Sequence, residues 1–169
     1  MRTLTEPRVT GAIVLLAVAL LLGACDSGTS PVAPVTDASA ALPDMLLASI
    51  HDEYHAEAIY EGVLEDFGVV LPFANIVDAE TRHSLAIARL YQNRGWEVPV
   101  DPWSPENVPH FGSLSDACTA GVEGELANIA IYDELLAESG LPADVVQVFT
   151  SNRSASLDRH LPAFQRCSS

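Results

Sequence analysis

A carboxylate and an imidazole three residues apart on a helix point at one spot. Glu80 and His83 have that spacing, and residues at i and i+3 share a helix face. Together they offer a hard oxygen donor and a neutral nitrogen donor, a combination that suits first-row transition metals. The same chemistry recurs along the chain. Glu53 and Glu125 are 72 residues apart, and His83 and His160 are 77 apart. Glu57, one turn beyond Glu53, is a sixth candidate ligand. Tyr60 and Tyr132 lie two turns past Glu53 and Glu125 and could donate hydrogen bonds to ligands, although plain core packing also accounts for them.

These acids and imidazoles fall on faces that should be buried. Leu46, Ile50, Glu53, Glu57, Tyr60, Leu64 and Phe67 form one helical seam at alternating spacings of four and three. Phe73, Ile76, Glu80, His83, Ile87 and Leu90 form a second, and Cys118, Val122, Glu125, Ile129, Tyr132 and Leu136 a third. An unpaired buried carboxylate costs several kcal/mol. Three or four of them would exceed the ~5–15 kcal/mol net stability of an ordinary domain. All eight basic residues are Arg, and of these only Arg153 shares a seam, so bound cations are the better neutraliser. His51 and His55 lie off the main seam and read as surface residues. His110 is a lone loop residue, and Glu123 should face solvent. No phosphate loop, nucleophile motif or CxxC pair is present.

The elements that must position these groups are four helices. The first ends at Gly68, the second near Gly95 and the third at Gly140, each glycine a natural helix stop. The fourth is expected as one helix from about Ala143 to Cys167, with Leu157, His160, Phe164 and Cys167 on one stripe and Pro162 loosening its last turn. Between the second and third helices, Glu97–Ser115 carries Pro99, Pro102, Pro105 and Pro109. A long irregular segment of this kind suits a crossover between helices that run the same way, with Trp96, Trp103 and Phe111 pinning it to the bundle. Ala58-Ile59-Tyr60-Glu61 matches Ala130-Ile131-Tyr132-Asp133, and Arg82-His83 matches Arg159-His160. The chain thus reads as two similar helical hairpins, all-α, joined by the crossover.

This arrangement resembles the ferritin-like superfamily of di-iron and di-manganese carboxylate proteins, four-helix bundles with a Glu from each of two helices and a Glu-x-x-His from each of the others. The resemblance spans Leu42 to Cys167. Asp116-Ala117-Cys118-Thr119-Ala120-Gly121 and Arg159-His160-Leu161-Pro162-Ala163-Phe164 look most similar to an uncharacterised group, domain of unknown function family 2202. The resemblance implies Glu53, Glu80, His83, Glu125 and His160 as metal ligands. It also implies one or two iron ions, with manganese as the alternative, and oxidase, peroxidase-like or ferroxidase chemistry on oxygen or peroxide. One departure matters. The second Glu-x-x-His requires Glu at position 157, where this chain has Leu157. Glu57 could replace the missing carboxylate; a single ion, or a centre without metal, are the other readings.

The N-terminus is read as a targeting segment. Arg2 and Arg8 precede twelve apolar residues, Gly11–Leu22, too few for a spanning helix but enough for a signal core. Leu22-Gly23-Ala24-Cys25 resembles a bacterial lipobox, which implies a lipid on Cys25, cleavage of residues 1–24 and attachment to the cell envelope. Residues 25–41 are expected as a tether and 42–169 as the folded domain. Without residues 1–24 the chain has 6 basic and 22 acidic residues, a net charge of −16, which disfavours nucleic acid. If Cys25 is lipidated, Cys118 and Cys167 remain as an even pair in an oxidising compartment. Cys118 lies seven residues before Glu125, and Cys167 seven after His160. On antiparallel helices both sulfurs reach the same height, so a disulfide is expected. The function expected is an envelope-anchored metal protein with redox chemistry. The competing class is a non-enzymatic adaptor at the membrane surface with a degenerate or structural metal site.

Overall fold

The computed structural model describes residues 38–169, with side chains from Ala41 onward, so the signal segment, Cys25 and most of the tether lie outside the described residues. Every regular element among the described residues is helical. The first helix, α1, spans Ala38–Phe67 and begins four residues ahead of Leu42. It stops at Gly68, whose φ of +78° is open to glycine at little cost. Helix α2 covers Phe73–Asn93. Helix α3 covers Leu114–Ala137, started by the Ser113 hydroxyl accepting from the Asp116 amide. It is followed by Gly140, the repeat counterpart of Gly68, at φ +80°. Among the described residues, no helix is long and apolar enough to cross a membrane.

Two apolar clusters set the directions of the helices. One joins Leu46 and Ile50 near the start of α1, Ile87 and Leu90 near the end of α2, Tyr132 late in α3, and Val145 and Phe149. The other joins Val63 near the end of α1, Phe73 and Ile76 at the start of α2, Ala117 and Cys118 at the start of α3, and Phe164. Helices α2 and α3 therefore run the same way, and residues 94–113 traverse the length between them. As expected, aromatic residues fasten this crossover. Trp96 packs edge-on to Tyr91, Trp103 lies 4.3 Å from the His55 ring between centroids, and Phe111 joins the second cluster. Its only regular turn is a short 3-10 turn at Pro105–Asn107.

The last quarter differs from the continuous helix expected. Helix α4 spans Ala143–Ala155, a π-helical turn occupies Ser156–His160, and α5 covers Leu161–Cys167. The Leu161 amide donates to the Ser156 carbonyl, five residues back. Pro162 has no amide to offer and its ring crowds the carbonyl four residues earlier. Widening the turn just before it is one way to absorb that conflict. The extra residue changes the phase of the helix. Ser156 and His160 are buried, whereas Leu157 is 39% exposed, so Leu157 leaves the stripe on which periodicity placed it.

Helix α5 rests closely on α3. A Cβ built on Gly121 would fall 2.6 Å from the Phe164 ring, and that ring is enclosed by Tyr60 and Phe73 at centroid distances of 5.2 and 5.0 Å. Only glycine leaves room for this approach. Cys118 and Cys167 lie at disulfide distance, with Cα atoms 5.6 Å apart.

Candidate metal centre

Between the two apolar clusters sits a polar layer. Glu53 comes from α1, Glu80 and His83 from α2, Glu125 from α3 and His160 from the π turn, and all five are buried. They form two groups of three, Glu53–Glu80–His83 and Glu80–Glu125–His160, with donor atoms within 4.8 Å in each group. Glu80 belongs to both. One of its oxygens is 2.9 Å from His83 Nδ1 and the other 3.1 Å from His160 Nδ1. Glu53 approaches His83 Nδ1 to 3.3 Å, and Glu125 approaches His160 Nδ1 to 3.5 Å. The imidazole rings stack with centroids 5.4 Å apart.

The tyrosines hold the outer carboxylates, and they do so crosswise. Tyr60 on α1 donates to Glu125 on α3 at 2.9 Å, while Tyr132 on α3 donates to Glu53 on α1. Asn152 on α4 adds a donor to both Tyr132 and Glu53. The repeat offset of 72 residues thus appears in space as a reciprocal pair of struts.

Glu57 is not brought into this centre. It is half-buried and accepts from the Thr81 hydroxyl at 2.7 Å, outside both donor groups. Its expected role as stand-in for the absent fourth carboxylate is therefore corrected. Periodicity put it on the seam, but α1 turns it toward the side of α2. Position 157 is not vacant either, because the π turn presents Ser156 to the interior instead. The Ser156 hydroxyl donates to Asn128, and Asn128 donates to Asp52 at 2.7 Å. Sequence reasoning missed Asp52, Asn128 and Asn152. Asn128 stands three residues after Glu125, the spacing that drew attention to Glu80 and His83, and could have been found that way. Arg153 does not enter the layer; it pairs with Asp133 at the surface. His110 pairs with Asp66, and Glu123 is exposed. His51 is partly buried, and His55 lies under Trp103.

No protein-family profile, curated protein or solved structure matches the chain. The chemistry of the layer must be read from its own atoms.

Burial pushes the Glu53 carboxyl up to about 7, only partly offset by His83. Burial alone would lower His83 and His160, but the surrounding carboxylates outweigh it and raise them to about 10 and about 9. Burial works against the Glu80 carboxylate too, yet the two imidazoles on either side hold it below its usual value. Without metal, then, the layer keeps protons that the unfolded chain would release. By linkage, a group whose folded pKa lies above its unfolded value stabilises the fold at low pH and loses that contribution as pH rises. The metal-free protein should accordingly lose stability between about pH 5 and 10, with the histidine part disappearing last. Chelator-treated protein unfolded thermally across that range checks this; a melting temperature that rises from pH 6 to 9 would contradict it.

The layer also fits a metal ion. Three carboxylates and two imidazoles form a mixed oxygen and nitrogen donor set typical of borderline transition metals. His160 Nδ1 is fully buried and lacks a partner in hydrogen-bonding geometry, even though carboxylate oxygens lie within ion-pair range. A nitrogen placed that way is better used by a cation at the common focus of Glu80 and Glu125.

Proposed function

We propose that this chain is a metal-binding protein of the ferritin-like type, a four-helix bundle related to domain of unknown function family 2202. Glu53, Glu80, His83, Glu125 and His160 would hold one or two transition-metal ions. The observation that carries the reading is the pair of buried Glu/Glu/His groups sharing Glu80. Iron is the first candidate and manganese the second, because the set mixes hard oxygen with imidazole nitrogen. Bound iron would supply one-electron chemistry toward oxygen or peroxide. The chain's own residues would do the rest. Tyr60 fixes the orientation of Glu125, Tyr132 and Asn152 fix Glu53, and the two apolar clusters keep bulk water from either end of the layer. The lipobox-like Cys25 supports attachment to the bacterial envelope, facing the periplasm or exterior.

Protein purified without chelator is expected to carry about one to two equivalents of metal by plasma mass spectrometry. Reconstitution with ferrous iron in air should then give a near-ultraviolet band. Loading should displace the protons held by His83 and His160, because ligating imidazole must be neutral. Metal-free protein that refuses iron, manganese and zinc would end this reading.

A second reading has an observation of its own. The two histidines and the carboxylates already satisfy one another's charge as buried ion pairs. On that reading the layer is structural, and the protein is an adaptor on the membrane surface.

A further inference from the structure

Beside the polar layer lies a cavity of about 390 Å³ between α1 and α3, partly covered by Pro109 and Phe111 of the crossover. Its volume falls in the range of small-molecule sites, roughly 300–1,000 Å³. Much of its wall is apolar, with Ala56 and Ile59 from α1 and Ala120 and Gly124 from α3. Gly124 is the repeat counterpart of Asp52, so the second hairpin leaves space where the first supplies a carboxylate. Glu80 and Glu125 reach the cavity from the side of the metal layer.

The charged groups facing this space are Asp52, Glu80, Glu123 and Glu125, together with His55. Among the described residues, no Arg makes an ion pair with Asp52, and the chain contains no Lys. The Asp52 carboxylate is partly buried, and its hydrogen-bond partner is the neutral Asn128 amide. That amide is held in turn by Ser156, so Asn128 is not free to turn away. Asp52 also stands outside both metal-donor groups. A partly buried carboxylate whose hydrogen-bond partner is neutral, at the wall of an apolar cavity, has no Arg or Lys beside it among the described residues.

We propose that this cavity binds a small organic monocation, an amine with an apolar body, whose ammonium group pairs with Asp52. The apolar walls take the body of the molecule. The acidic surroundings exclude carboxylates and phosphates of similar size. An ammonium donates to the Asp52 oxygen that Asn128 leaves free, a charge-assisted hydrogen bond. The binding itself needs no metal; only the idea that such an amine is the substrate of the neighbouring centre rests on the function proposed above.

Calorimetric titration of the folded, metal-free protein with benzylamine, benzyl alcohol and benzoate tests the assignment. Benzylamine should bind, benzyl alcohol about 10- to 100-fold more weakly, the difference expected for a charge-assisted hydrogen bond, and benzoate not measurably. Asp52→Asn should remove that preference for the amine, and Ala120→Leu should block all three by filling the cavity. Both variants should keep the wild-type metal content. Equal binding of amine and alcohol, or full amine affinity in Asp52→Asn, would overturn the role of Asp52. Failure of all three probes to bind wild-type protein would overturn the cavity assignment. If metal is absent from the wild type while benzylamine still binds through Asp52, the metal reading fails and this one stands.

Discussion

Glu80→Ala should empty the whole centre, whereas His83→Ala should empty one half of it. The difference follows from sharing. Glu80 belongs to both donor groups, and each of its oxygens faces a different histidine. Removing it leaves two ligands in each group. Apparent affinity should then fall by more than about 100-fold, beyond what outer partners of a ligand usually contribute. His83→Ala leaves Glu80, Glu125 and His160 together, so roughly half the wild-type metal should survive. Because losing one member of a buried ion pair can itself cost about 3–5 kcal/mol, Glu80→Gln provides a variant of nearly the same shape. Circular dichroism confirms the fold, and plasma mass spectrometry gives the stoichiometry. Wild-type metal content in both Glu80 variants would remove this residue from the centre.

The double change Cys118→Ser with Cys167→Ser should cost about 4 kcal/mol of stability, the chain-entropy value for closing a loop of this length. The two residues are 49 apart in sequence. The loss should appear as a lower denaturant midpoint in metal-free protein, and reduction of the wild type should reproduce it. A local effect should accompany it. The bond joins the start of α3 to the end of α5, and α5 follows directly on His160. The group containing His160 should therefore lose metal before the group containing His83. Two reactive thiols per chain in unreduced, denatured protein would rule out the bond.

Much of the centre was legible because burial and polarity conflict on a helical seam. Phe73, Ile76, Glu80, His83, Ile87 and Leu90 are all buried as the 3.6-residue period requires. The repeat likewise anticipated that Glu53 and Glu125, and Tyr60 and Tyr132, hold corresponding places. Two kinds of information were missing. Periodicity assumes a constant twist, and the π turn before Pro162 breaks that assumption, which is why Leu157 was placed inside and Ser156 overlooked. Periodicity also says nothing about reach across helices. Glu57 has the right phase on α1, but the nearby hydroxyl is Thr81 rather than an imidazole. Asp52 sits one residue off the seam, so only the packing of α3 against α1 reveals that Asn128 covers it. The crossover could be assigned by its prolines, but the cavity it partly covers depends on where Phe111 and Pro109 come to rest.

The crossed tyrosine struts bear on how the molecule becomes whole. Each hairpin carries an acid that accepts a hydrogen bond from the other hairpin's phenol. A fragment ending at Gly95 would hold Glu53, Glu80 and His83 but would lack Tyr132 and Asn152, while the remainder would hold Glu125 without Tyr60. Neither half is a finished module with its own small site. The centre exists only after the halves have docked, so the polar layer acts as a check on assembly: a wrongly mated pair would leave two acids without their phenol donors.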